Sequence, residues 1–190
     1  MDSLIPYILI STFDSVVIHN NTLVLCDIDE TVIHFKSINK QWWSNKFDEY
    51  YSQSHDYDLA DIKVFEDWIT HIKENDPVCT DLVGLTNLLN KLNDMNGTFV
   101  FITARNNDEL LIELTKIHLQ QSGIYDILID VKELPVYFCG GNISKGQFIK
   151  DNINIDDFDH VIFIDDLESN LESVHETFID TNITLYKFHI

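Results

Sequence analysis

The chain has 190 residues, 45% of them hydrophobic, which suits one domain with a substantial core and leaves no room for two full domains. Its formal net charge of -20, with no basic run, argues against a surface that works by neutralising nucleic-acid phosphates or by docking on anionic lipid. An anionic substrate stays compatible with that charge if a bound divalent cation and a few Lys or Arg are focused at one cleft.

The first apolar run, Leu4 to Ile10, has no positive flank, contains Pro6 and is far shorter than the ~20 residues of a membrane span. Cys26, Cys79 and Cys139 are odd in number and widely spaced, so they form neither a disulfide framework nor a paired ligand motif. A reducing, cytoplasmic location is the expectation. Thr22 to Cys26 is the first strand with the continuous apolar character of a buried parallel sheet. The stretch that follows, residues 33–79, is too long for a simple connection and holds all three tryptophans. Trp43, Phe47, Tyr50 and Tyr51 fall at helical spacing there, as do Ile62, Phe65, Ile69 and Ile72, which predicts a small helical insertion that buries those stripes against the body.

Thr80 is placed to cap a helix carrying Leu82, Leu85, Leu88, Leu89 and Leu92 on one face, with Gly97 as its stop. Strand Thr98 to Ile102 follows, then a helix traced by Leu110, Leu114, Ile117 and Gln121 that ends at Gly123. Leu134 to Phe138, His160 to Ile164 and Thr184 to Phe188 read as further strands. Between them, Ser144 with Gln147 and Ser169 with Glu172 have capping-box spacing for two more helix starts. Strands that alternate with helices predict an α/β chain: a single Rossmann-like, doubly wound parallel sheet with a helical insertion at 33–79.

Four strand ends carry the chemistry. Leu23-Val24-Leu25-Cys26 runs straight into Asp27-Ile28-Asp29-Glu30-Thr31, and in open parallel sheets the carboxyl ends of strands face the ligand crevice. Phe99 to Ile102 leads to Thr103-Ala104-Arg105, a hydroxyl and a cation where a strand meets a helix N-terminus suited to phosphate. Lys145 opens the helix after Gly140-Gly141-Asn142-Ile143-Ser144, an unfavourable place for a cation without an anionic partner. Val161 to Ile164 ends in Asp165-Asp166, an oxygen-rich pair suited to magnesium. Each signal alone has a bland reading, as an acidic turn, a cap or a solvated lysine.

In this order, DxDxT, a Thr after a strand, a Lys and a strand ending in Asp-Asp resemble the four motifs of the haloacid dehalogenase-like (HAD) superfamily, from Leu23 to about Asn170. The Gly-Gly-Asn-Ile-Ser-Lys-Gly and Ile-Asp-Asp-Leu-Glu-Ser-Asn stretches are similar, more narrowly, to a branch of HAD proteins of unknown function found in intracellular bacteria and large viruses. The receiver domain uses similar groups, but its acidic pair comes first and its Lys last, whereas here Asp165 and Asp166 follow Lys145.

The resemblance implies a phosphatase that acts through an aspartyl-phosphate. Asp27 would be the nucleophile, and Asp29 the acid to the leaving oxygen and then the base that activates water. Mg2+ would be held by the Asp27 carboxylate, the Asp29 carbonyl and Asp165, with Asp166 in direct or water-mediated support. Thr103, Ala104 and Lys145 would bind the phosphoryl oxygens, and Asn170 would orient the acidic pair. Arg105 would meet substrate or pair with a surface acid. A phosphorylated small molecule is the expected partner, ahead of a phosphoprotein; neither nucleic acid nor membrane is expected. A phosphotransferase and a non-catalytic binding module of the same fold are the rivals.

Overall fold

The computed structural model describes residues 5–127 and 135–190. Its elements in chain order are β1 (Tyr7–Ile10), β2 (Thr22–Cys26), β3 (Ile33–His34), α1 (Lys40–Ser54), α2 (Tyr57–Glu74), β4 (Val78–Cys79), α3 (Leu82–Asp94), β5 (Thr98–Thr103), α4 (Glu109–Gln121), β6 (Val136–Phe138), α5 (Lys145–Asn152), β7 (His160–Asp165), α6 (Glu168–Thr177) and β8 (Ile183–Phe188). Six strands form one sheet in the order β1-β8-β7-β2-β5-β6, and every pairing is parallel. This is the doubly wound α/β architecture that the alternating pattern predicts.

Strand residues divide by parity between the two faces. Val24, Cys26, Phe99, Phe101, Ile162 and Ile164 pack under α3 and α4 with Leu85, Leu88 and Leu119. Leu23, Leu25, Val100, Ile102, Val161 and Phe163 pack on the other face against Ile149 of α5 and Leu171 and Val174 of α6. A strand buried on both faces has no polar side to show, which is why β2 is apolar from Leu23 to Cys26.

The N-terminal run is an edge strand: β1 pairs with β8, and Ile8 and Leu9 face outward. Leu4 and Leu134, the expected first residues of two apolar runs, lie outside the described residues. Three helix starts differ from expectation. Asp81, not Thr80, caps α3 by accepting from Gly84 N at 2.9 Å, while Thr80 Oγ1 donates to the Thr31 carbonyl at 2.6 Å. Helix α4 begins at Glu109 under an Asp108 cap, so the Thr103-Ala104-Arg105 turn lies in the preceding loop, not at a helix N-terminus. Helix α6 begins at Glu168 after Leu167, with no side-chain cap from Ser169. In each case a carboxylate supplies the stronger acceptor: Asp81, Asp108, or Asp165, which accepts from Leu167 N at 2.8 Å. Ser144 does cap α5.

The 33–79 insertion is a helical hairpin closed at its base by the antiparallel pair β3 and β4. Its expected apolar faces are only partly buried. Helix α1 buries no residue fully, and its rings pack laterally on α2, Trp43 on Trp68 at 6.4 Å and Phe47 on Tyr57 at 4.8 Å. On α2, Ile62 is exposed while Ala60, Val64 and Ile72 are buried. Phe35, Ile38, Ile72 and Leu111 form the small core that seats the hairpin, with Trp42, Phe65, Trp68 and Ile69 around it. Among the described residues, no helix is long and apolar enough to cross a membrane.

Candidate active site

The four strands with chemistry at their ends are neighbours, β7-β2-β5-β6. From β2 the chain builds outward to β5 and β6, then returns to β7 and β8 on the other side. The reversal therefore falls between β2 and β7, where an open α/β sheet has its crevice. The register pairs Cys26 with Ile164, which sets Asp27 beside Asp165, and Asp27 N donates to the Ile164 carbonyl at 2.9 Å.

Asp27, Asp165 and Asp166 are all buried, and one carboxylate oxygen from each lies within 4.8 Å of the others. Three like charges at that spacing repel strongly unless cations sit among them. Lys145, the first residue of α5, supplies one: its ammonium donates to Asp27 Oδ1 and, at 2.7 Å, to Asp165 Oδ2. That answers why a lysine opens a helix. Lys145 is only 2% exposed, so removing it would strand buried carboxylates at a cost of several kcal/mol. Lys40, from the start of α1, bonds Asp166 Oδ2 at 2.8 Å and the Asp166 carbonyl at 3.1 Å.

Asp165 is held tightly. Besides Lys145 and Leu167 N, it accepts from Asn170 Nδ2, which lies 3.1 Å from each of its oxygens. Thr31 Oγ1 donates to Asp27 Oδ2 at 3.2 Å. Burial pushes the Asp27 carboxyl well above the usual carboxylate range, with Lys145 opposing and the neighbouring acids adding to the rise. Burial raises Asp166 as well, against the pull of Lys40. The acids around Lys145 outweigh its own burial and hold its ammonium above the ordinary lysine value.

The side chain of Asp29 lies apart from this cluster. Both of its oxygens accept from Arg105, Oδ2 from Nε at 2.8 Å and Oδ1 from Nη2 at 2.6 Å. Thr103 is fully buried and accepts from Arg105 N at 3.2 Å, and Ala104 beside it is exposed. A cleft of about 470 Å³ opens on the Asp166 side of the cluster, bounded by Glu30, Lys40, Asp166 and Lys187 among others.

Residues 9–190 match the family described as a protein of unknown function, DUF2608. The chain belongs to the DUF2608 family. A search of curated proteins finds no match to it. In this DUF2608 member, three features of the site have no plain sequence signal. Lys40 lies in the insertion, outside every motif. Thr115 and His118 occupy the buried face of α4, where Leu111 and Leu119 replace the expected Leu110 and Ile117, both exposed. A buried guanidinium makes polar residues on that face favourable, because its donors need acceptors.

Proposed function

We propose that the chain is a magnesium-dependent phosphatase that hydrolyses a phosphate monoester through an aspartyl-phosphate on Asp27. The observation that carries this reading is the buried cluster of Asp27, Asp165 and Asp166 with Lys145 inside it, at the reversal point of the sheet. An apolar crevice retains such charge at a cost of several kcal/mol per ion, and a site that must handle a more highly charged phosphate gives that cost a use.

The donor set fits Mg2+: hard carboxylate oxygens, close together, with no sulfur or imidazole among them. When bound, the metal supplies a Lewis acid that offsets the repulsion between carboxylates and phosphate. The chain's own groups do the rest. Thr31 and Lys145 orient the Asp27 carboxylate for attack on phosphorus. Lys145 also brings positive charge to the oxygens of the transferring group, and Asp29, two residues on, moves the proton. Thr103 ends β5 and Ala104, exposed, begins the loop after it.

The test is phosphate release from p-nitrophenyl phosphate and a panel of metabolites, with Mg2+ and with chelator. Wild type should turn over with Mg2+ and stop with chelator, and Asp27→Asn should be inactive while still folded. Turnover by Asp27→Asn near the wild-type rate would overturn the mechanism.

A further inference from the structure

Arg105 is only 3% exposed, yet it reaches no member of the three-acid cluster. Its guanidinium is fixed from every side. The fork grips both oxygens of Asp29, and Nη1 donates to Thr115 Oγ1 at 3.0 Å and to His118 Nδ1 at 3.2 Å. Arginine can only donate, so His118 Nδ1 must accept, which leaves Nε2-H to donate to the Ile72 carbonyl at 2.9 Å. Burial and the neighbouring guanidinium hold His118 below the ordinary histidine value, in keeping with that neutral tautomer. Over the guanidinium lies the ring of Trp68, 5.5 Å away. Trp68 and Ile72 both belong to α2, so the insertion and the Asp29 clamp are packed as one unit.

We propose that Arg105 is a positioning residue that holds Asp29 for the water-attack half of the reaction, and that α2, through Trp68 and the Ile72 carbonyl, keeps Arg105 in place. This rests on the phosphatase reading. In that half-reaction a water oxygen bonds to the phosphorus of the Asp27 acyl phosphate while Asp29 takes the water's proton. The P-O bond to Asp27 then breaks, its electron pair returns to the Asp27 carboxylate, and Asp29 passes the proton to solvent.

A planar fork fixes both the place and the plane of a carboxylate, and a point-charge ammonium fixes only its distance. Proton transfer needs that precision, because small misplacements of a reacting group cost up to about a hundredfold. In the first half Asp29 gives its proton to an ordinary leaving oxygen, but nitrophenolate is a stabilised anion that departs without one, so with p-nitrophenyl phosphate attack by Asp27 does not depend on the Arg105 clamp. Loss of the clamp should therefore slow the second step and spare the first.

The experiment is rapid mixing with excess p-nitrophenyl phosphate in Mg2+, comparing wild type, Arg105→Lys and Trp68→Leu. Thermal midpoints identify any variant that fails to fold. Thr115→Val, which removes one contact to Arg105 at nearly constant volume, serves as the milder probe in that event. We expect each folded variant to release a burst of nitrophenolate, close to one per chain and within about threefold of the wild-type first-step rate. A steady state about 10- to 100-fold slower should follow in Arg105→Lys, with smaller slowing in the others. Burst and steady state falling together, or neither falling, would overturn the positioning role while leaving the phosphatase reading standing. A silent wild type would remove both.

Discussion

Glu30 follows Asp29 in a left-handed turn, φ 58°, and lines the cleft beside Asp166. Burial, with Asp166 and Asp29 adding and Lys40 opposing, pushes its carboxyl from the ordinary 4.5 up to about 7. Between those values the folded chain keeps a proton that the unfolded chain has released. Stability therefore falls as pH rises through that window, and the penalty is complete above about 7. Glu30→Gln removes it. In chelator, the variant should melt above wild type at pH 8 and together with it at pH 4. An equal gain at both pH values would place the effect elsewhere than in this carboxyl.

At this scale much of the site was legible in the sequence. Asp27, Lys145, Asp165 and Asp166 each stand at the end of an apolar strand or at a helix start where their charge is otherwise hard to justify. Their meeting follows from strand order. Arg105 was legible as a cation in the right loop, but its partner was not: a surface acid and Asp29 look alike in sequence. Lys40 was hidden because nothing in the local pattern says which way a hairpin inserted 33–79 will fold back.

Helix α5 carries Lys145 into the acids, and its position is set by the residue that follows. Gly146 packs against α6 so closely that an added Cβ would lie 2.1 Å from the Ser173 carbonyl oxygen and 2.5 Å from Thr177 Oγ1. Backbone cannot step aside as a side chain can. Gly146→Ala should push α5 away from α6, with a cost of about 1–3 kcal/mol from overpacking. Because Lys145 moves with it, activity should fall more than stability alone explains, which melting and turnover assays on the same sample would separate. A fully active, normally stable Gly146→Ala would show that α5 can shift without disturbing the ammonium.

Helix existence was readable from periodicity, whereas helix faces and starts were read less well, for a physical reason. Caps compete, and the stronger acceptor wins: Asp81 over Thr80, and Asp165 in place of Ser169. On α4 the polar Thr115 and His118 are inside because Arg105 is there to meet them, so a rule that sends leucine inward picks the wrong face. Helix α1 packs its aromatic rings sideways onto α2, and burial against a body is not what its spacing encodes.

Across the whole molecule, a formal charge of -20 means self-repulsion, and the three-acid cluster concentrates part of it in a buried place. A cation bound only by the folded chain stabilises it by mass action. Mg2+ at a hundredfold excess over its Kd should raise the melting midpoint by roughly 5–10 °C for a domain of this size. Sodium chloride at matched ionic strength separates this from general screening. Equal shifts with sodium and magnesium would mean that the cluster holds no divalent ion.

The reversal of strand order between β2 and β7 also governs how the chain comes together. Strand β2 lies at the centre of the sheet, and both of its partners, β5 and β7, come much later in the chain. At synthesis rates of about 5–20 residues per second, β7 leaves the ribosome on the order of ten seconds after β2. Until β5 emerges this largely apolar strand has two open edges, and the edge that takes β7 stays open for the whole interval, the condition under which nascent chains aggregate or recruit chaperones. Contacts of such high sequence separation also make folding slow. The arrangement that gathers four distant strand ends into one crevice thus leaves one side of the central strand open until β7 is made.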